Sequence, residues 1–116
     1  MLAEILLNGD VVESAGADNA TATAAKAATQ ATRHFIGGIE AHYSATVSAI
    51  KTITVTRTVA GQSVTKTYKW DFAKGPFVHN FPLLIHGDYN TAVSVALDAS
   101  GTGGILGQVA MWVASA

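Results

Sequence analysis

This chain has no cysteine, only two prolines and few charged residues. The lack of cysteine excludes a disulfide framework and a thiolate metal site. Charged residues make up 13% of the 116 residues, about half of the roughly 25% that is usual in soluble domains. The formal net charge is −1 and no basic cluster is present, so electrostatics gives no argument for nucleic acid as a partner.

Long hydrophobic runs are also missing. No segment reaches the roughly 18 uncharged apolar residues that would span a membrane, so we expect no membrane partner. Met1–Leu7 lacks the basic start and the long apolar core of a signal peptide. The sequence therefore predicts a protein that is made in the cytoplasm.

Small residues have to form most of the surface of the folded chain. A single domain of this length has a high surface-to-volume ratio, and its charged side chains are too few to cover it. Threonine, serine, alanine and glycine must fill the remainder, and small side chains lose little entropy on burial against a neighbour. The composition favours a homo-oligomer or a larger assembly. The alternative is a threonine-rich surface that binds nothing.

The clearest structural pattern lies in Ile50–Phe72. Hydrophobic residues alternate with threonine and charged residues on both sides of a tight turn at Ala60–Ser63. A period of two in β-branched and aromatic residues predicts a β-hairpin with one face buried.

Further strands follow at even spacing, with turn residues between them. Outside the hairpin, the predicted strands are Thr21–Ala28, His34–Ser44, Phe77–Phe81, Thr91–Asp98 and Ile105–Val113. Seven or eight short strands without a convincing helix between them are typical of an all-β fold. The prediction is a single-domain antiparallel β-sandwich or jelly roll with an N-terminal extension.

Three of these segments contain unusual residues for a strand. Ala20–Thr32 is rich in alanine, which favours helix, but its threonines are poor helix formers, so we interpret Thr21–Ala28 as a strand and keep a helix as the alternative. Gly37-Gly38 indicates a β-bulge or the close approach of another backbone. Pro82 cannot donate to a ladder, so it predicts a strand end at a sheet edge or a bend.

The N-terminus is predicted to lie outside the sandwich. Asn8-Gly9 between two apolar pairs is a strong hairpin signal, and a helical turn over Leu2–Leu7 is the alternative. Glu13–Asn19 is polar and predicts a loop. We therefore expect an arm or small hairpin over residues 1–19 and the sandwich over residues 20–116. The candidates for binding a partner are the apolar residues of the arm: Leu2, Ile5, Leu6 and Leu7.

No motif in the sequence carries catalytic chemistry. The four histidines are His34, His42, His79 and His86, and their spacing does not suggest the three or four converging ligands of a metal site. A site on a three-fold axis, or a cupin-type enzyme with three converging histidines, is the alternative. Paired carboxylates, a Gly-x-Ser-x-Gly elbow and a phosphate-binding loop are not found either. We expect no enzyme, no metal and no cofactor.

Most aromatic residues are predicted to lie in the core. By alternation, one face is shared by Tyr68, Trp70 and Phe72 and another by Phe77 and Phe81. Aromatic residues on neighbouring strands pack together in a sandwich interior. The alternative is a platform for carbohydrate or a partner, for which the candidates are Trp70, Tyr89 and Trp112.

Three segments resemble small virion proteins that tailed bacteriophages and prophages encode. They are Gly75–Gly87 (GPFVHNFPLLIHG), Arg33–Ile39 (RHFIGGI) and the valine-rich Ala92–Leu97. The resemblance covers about Ala20–Ala114. It implies a jelly-roll module that decorates capsids or forms fibre and tail parts, and it implies no functional residues.

From this resemblance we expect a non-enzymatic structural protein of a phage virion. The leading hypothesis is a capsid decoration or cement protein on the capsid surface. It would act as a homo-oligomer, for example a trimer, and bind the major capsid protein or another virion protein. The alternative is a carbohydrate- or receptor-binding module of a tail or fibre.

Overall fold

The computed structural model describes residues 9–116, whose regular structure consists of eight strands and one short 3₁₀ turn. In chain order the strands are β1 (Asp10–Ala15), β2 (Ala22–Lys26), β3 (His34–Tyr43), β4 (Ile50–Val59), β5 (Gln62–Asp71), β6 (Phe77–His86), β7 (Val93–Leu97) and β8 (Gly107–Ser115). The 3₁₀ turn, Phe72–Lys74, connects β5 to β6. No helix in this part of the chain is long and apolar enough to cross a membrane.

The strands form two four-stranded antiparallel sheets. The first sheet has the order β1-β8-β3-β6, and the second sheet has the order β2-β7-β4-β5. Every connection except the β4–β5 hairpin carries the chain from one sheet to the other, which is the arrangement of a jelly roll. The predicted all-β sandwich or jelly roll is therefore confirmed.

The core lies between the two sheets and takes side chains from both. Among its fully buried side chains are Ile36, Met111 and Val113 of the first sheet and Ile53, Val95 and Leu97 of the second. Burying one such side chain contributes about 1.5–3 kcal/mol. Contact between the two sheets therefore stabilises the sandwich.

The predicted hairpin is confirmed as β4–β5, but its turn is shorter than expected. Val59 pairs with Gln62, so the turn consists of Ala60 and Gly61 alone. Their φ angles are 52° and 76°, as in a type I′ turn, which matches the twist of the strands. Ala60 has a Cβ atom, and this left-handed conformation is therefore strained there.

The alanine-rich strand is also confirmed. It forms β2, in which Ala22 and Ala24 face the core and are buried. All five residues of β2 pair with β7. This pairing with a distant strand outweighs the helix propensity of alanine, which is only a weak local preference.

The paired glycines form the predicted bulge. Ile36 pairs with Val113 and Gly38 pairs with Trp112, which leaves Gly37 as the extra residue of β3. A Cβ atom on Gly37 would lie 2.4 Å from Cε3 of Trp112. The indole therefore lies directly against the backbone of the bulge.

Pro82 lies at a sheet edge, as expected, but β6 does not end there. This strand continues to His86 along the edge of the first sheet. Its pairing with β3 is interrupted between Asn80 and Ile85, where Phe81–Leu84 lie opposite the extra glycine. A missing backbone N–H costs no ladder bond at such a position, because the pairing is already broken.

The sandwich begins earlier in the chain than predicted. Asp10–Ala15 forms β1, which pairs residue for residue with β8. The loop predicted over Glu13–Asn19 is therefore wrong for its first three residues. Residues 10–15 belong to the sandwich and not to the predicted arm. The reason is pairing with a strand at the other end of the chain, which local sequence does not reveal. The helical turn predicted as the alternative over Leu2–Leu7 lies outside the described residues.

Candidate protein-binding surface

The outer face of the first sheet presents two rows of side chains across its four strands. Pairing of the strands fixes both rows, and each row takes one residue from β1, β8, β3 and β6 in that order. The first row is Glu13, Ala110, Glu40 and Val78, and the second row is Val11, Trp112, Gly38 and Asn80.

A shallow groove of about 160 Å³ follows these rows. Its floor includes the small residues Gly38 and Ala110, which are buried under their neighbours. Its rims include Val11 and Val78, which are 52% and 62% exposed, and Trp112 also lines it. Pockets for small molecules usually measure about 300–1,000 Å³ and enclose the ligand. This groove is smaller and open, and its apolar rims suit contact with another protein.

The two sheets carry charges of opposite sign. Strands of the first sheet contain three carboxylates and neither lysine nor arginine: Asp10, Glu13 and Glu40. Strands of the second sheet contain five basic residues: Lys26, Lys51, Arg57, Lys66 and Lys69. Their one carboxylate, Asp71, accepts a hydrogen bond from the amide of Ala73 in the 3₁₀ turn. The partition appears only when the strand order is known, because the strands of each sheet are scattered along the chain.

Threonine and other small residues cover the outer face of the second sheet. Two rows run across it in the strand order β2, β7, β4 and β5. They are Thr23, Ala96, Thr54 and Thr67 in one row and Ala25, Ser94, Thr56 and Thr65 in the other. This face agrees with the expectation that small residues form much of the surface.

The aromatic residues predicted to be core do fill the interior. A cluster of rings closes one side of the sandwich between the edge strands β5 and β6, and it consists of Tyr68, Trp70, Phe77, His79 and Phe81. The ring centroids of Tyr68 and His79 are 5.1 Å apart, and those of His79 and Phe81 are 5.0 Å apart. Burial in this cluster raises the pKa of Tyr68. The hairpin and the next strand are thus joined by side chains rather than by a ladder.

The three residues proposed as an aromatic platform lie on different elements. Trp70 is on β5, and its Nε1 donates a hydrogen bond to the carbonyl of Gly75 (3.0 Å). Trp112 is on β8 and lies against the bulge. Tyr89 is 53% exposed in the β6–β7 connection, and the guanidinium of Arg33 lies 4.4 Å above its ring. The structure therefore does not bring these rings into one platform.

The histidines have separate environments. His34 is 1% exposed. Its Nε2 donates to the carbonyl of Ala27 (2.8 Å), and its Nδ1 forms a hydrogen bond with the hydroxyl of Ser115 (2.7 Å). His86 packs against Phe35 with a centroid distance of 5.6 Å. Within residues 9–116, no group of three histidine, cysteine or carboxylate side chains could hold a metal ion.

A second shallow hollow of about 170 Å³ lies beside Tyr43, between the β3–β4 connection and Pro76. The hydroxyl of Tyr43 donates a hydrogen bond to the carbonyl of Asp98 (2.7 Å). Burial and, to a smaller extent, the negative charge of Asp98 raise the pKa of Tyr43 to about 12. This tyrosine therefore remains a neutral donor at every physiological pH and has a structural role.

The four residues predicted to bind a partner, Leu2, Ile5, Leu6 and Leu7, lie outside the described part of the chain. Sequence reasoning missed the groove on the first sheet. One local signal was available, because Val78 alternates with the inward-facing Phe77 and His79 and so has to point outward. The other residues of the groove come together only through the register of four strands.

Comparisons with known proteins leave the family open. No protein-family model and no curated protein matches the chain. Among solved structures, it is similar to an arabinose-bound α-L-arabinofuranosidase (13% identity, TM-score 0.47), covering 86% of this chain and 18% of that one. It is also similar to the CBM36-1 domain of a multidomain xylanase from the hindgut metagenome of Trinervitermes trinervoides (10% identity, TM-score 0.41), covering 94% of this chain and 97% of that one. At these values neither likeness carries an argument about function.

Proposed function

We propose that this chain is a non-enzymatic structural protein of a phage virion. In this proposal it decorates the capsid as a homo-oligomer and binds the major capsid protein or another virion protein. The observation that carries a protein-binding role is the open groove on the first sheet, whose rims at Val11 and Val78 are more than half exposed. The resemblance of Gly75–Gly87 to virion proteins of tailed phages supports the location.

The mechanism is the burial of a preformed surface. The outer faces of both sheets are made of ladder-paired strands, so little chain entropy is lost when another surface packs against them. A site that exists only on the assembled shell stabilises the shell by mass action. Several weak contacts within one oligomer add through avidity. Such a protein needs no catalytic group and no cofactor.

The experiment combines light scattering of the purified chain with co-sedimentation on phage heads that lack it. We expect an oligomer that pellets with the heads and raises their melting temperature. Val78→Ser removes an exposed apolar side chain from the groove rim and is expected to weaken assembly. Leu106→Ser is the matched control, because Leu106 is 40% exposed in the β7–β8 connection and does not line the groove. A chain that stays monomeric and does not bind heads would contradict the proposal, and binding on a glycan array would then support the carbohydrate-binding alternative.

The same assay tests the predicted anchor residues Leu2, Ile5, Leu6 and Leu7. Deleting residues 1–8 leaves β1 complete, because that strand begins at Asp10. We expect this deletion to weaken sedimentation with heads. If head binding does not change, the assignment of these four residues to the partner interface is wrong.

A further inference from the structure

Two surfaces of this molecule carry complementary charge. Glu13 and Glu40 point outward from the first sheet on either side of Ala110 and are exposed. Lys66 and Lys69 are exposed on β5, which pairs only with β4 and forms an edge of the second sheet. They lie on opposite sides of that edge, because Lys69 is paired with Thr52 and Lys66 with the buried Val55. The Nζ atom of Lys66 is 5.9 Å from the ring centroid of Tyr68. Two exposed carboxylates on the first sheet and two exposed ammonium groups along one edge of the second sheet therefore lie on separate parts of one chain, and complementary charges of this kind direct association.

From this complementarity we propose that the groove on the first sheet binds the β5 edge of a second copy of this chain. A lysine of that edge lies over Ala110, between Glu13 and Glu40. The inference rests on the homo-oligomer of the proposed function and names the contact that forms it.

The position over Ala110 suits a lysine side chain. Ala110 is only 4% exposed and forms the floor between the two glutamates. Glu13 and Glu40 belong to strands on either side of β8, so their backbones are roughly 10 Å apart. A lysine stem is apolar and can cover the alanine floor while its ammonium group reaches a carboxylate. The exposed rims at Val11 and Val78 are then covered by the rest of the edge strand.

The proposed contact also defines the type of assembly. A groove and an edge are different surfaces, so the interface is heterologous, and it closes a ring where the rotation between neighbouring copies divides a full turn evenly. A trimer is one such ring. In it each copy uses both surfaces, and the threonine rows of the second sheet stay open for contact with the capsid shell.

Charge reversal with rescue tests this contact by sedimentation velocity. Glu13→Lys with Glu40→Lys, and separately Lys66→Glu with Lys69→Glu, are each expected to weaken self-association by about tenfold or more. The chain with all four substitutions is expected to associate again, because attraction is restored with the signs exchanged. Lys26→Glu with Lys51→Glu is the control for the lysine pair, since it lowers the net charge by the same amount on other strands of the second sheet. Thermal melting of each variant shows that it folds.

Three results would overturn the inference: a wild-type chain that is monomeric at every concentration, reversal variants that associate normally, or folded variants that the fourfold exchange does not rescue. Sedimentation with phage heads is measured separately. A monomer that still binds heads contradicts the contact between copies but not the capsid-decoration role. If the oligomer depends on Glu13 and Glu40 but does not sediment with phage heads, the contact between copies is supported and the capsid-decoration role is contradicted.

Discussion

The outer faces of the two sheets are built on different principles. The first depends on individual residues, because the bulge at Gly37 receives the ring of Trp112 and two glutamates flank Ala110. The second repeats threonine, serine and alanine across all four strands. A face made of particular residues in a fixed register can discriminate between partners, whereas a repeated face offers many equivalent positions. Specific recognition is therefore expected on the first sheet.

The central strand β3 of the first sheet is also fastened to the second sheet at both of its ends. At its start, His34 donates to the carbonyl of Ala27, just after β2. At its end, Tyr43 donates to the carbonyl of Asp98, just after β7. The strand that carries the bulge and Glu40 thus has both ends tied to the other layer, which holds the groove in one geometry.

The largest effect on stability is expected from a substitution in the β-bulge. Gly37→Ala places a Cβ atom 2.4 Å from Cε3 of Trp112, and the rigid indole has to leave its position on the outer face. Overpacking of this kind costs about 1–3 kcal/mol of unfolding free energy, which urea denaturation measures. Gly103→Ala is the control, because no heavy atom lies within 4 Å of its added Cβ.

A double-mutant cycle identifies the cause of that loss. In a Trp112→Ala background the clash partner is gone, so Gly37→Ala is expected to cost much less than in the wild type. An equal cost in both backgrounds would show that the indole is not responsible for the requirement for glycine.

The sequence predicted those parts of this architecture that depend on local pattern. Alternation in Ile50–Phe72 was enough to place the hairpin, and Gly37-Gly38 was enough to place the bulge. Alternation also showed that Tyr68 and Trp70 face inward. Each of these features depends on one or two neighbouring strands. Within a strand, alternation decides which face a side chain occupies, and glycine permits a bulge.

The groove and the charge partition could not be predicted in the same way. Glu13 and Glu40 become neighbours of Ala110 only because β1 and β3 both pair with β8. A shift of one residue in either register would turn the glutamates to the other face. For the same reason the sequence predicts a loop at the end of β1, because Glu13–Ala15 precedes a polar stretch and its partner strand lies at the far end of the chain.

An intermediate effect on stability is expected at the hydrogen bond that connects the end of β3 to the second sheet. Tyr43→Phe removes the hydrogen bond to Asp98, which costs about 0.5–1.5 kcal/mol at neutral pH. The folded-state pKa of Tyr43 is raised from 10.0 to about 12. The stabilisation is therefore complete below pH 10 and is lost as the pH rises through 12.

Denaturation curves between neutral pH and pH 12 measure this dependence. The stability difference between wild type and Tyr43→Phe should shrink as the pH approaches 12. A difference that stays constant over the whole alkaline range would mean that Tyr43 titrates alike in the folded and unfolded chains. Since both proteins share every other titrating group, the comparison isolates this tyrosine.

The smallest effect, of opposite sign, is expected in the turn of the second sheet. Ala60 has a φ of 52° and precedes Gly61 in a type I′ turn, a position where asparagine is favoured because it tolerates the left-handed region. Ala60→Asn is expected to raise the unfolding free energy by about 0.5–1 kcal/mol. The control is Ala92→Asn, an exposed site without a positive φ, which should change little. If both substitutions stabilise equally, the gain comes from added polarity and not from relief of the turn. Suppose that Ala60→Asn stabilises the chain, its control does not, and Gly37→Ala destabilises it. The bulge of the first sheet then already has the residue that its backbone requires, whereas the turn of the second sheet does not.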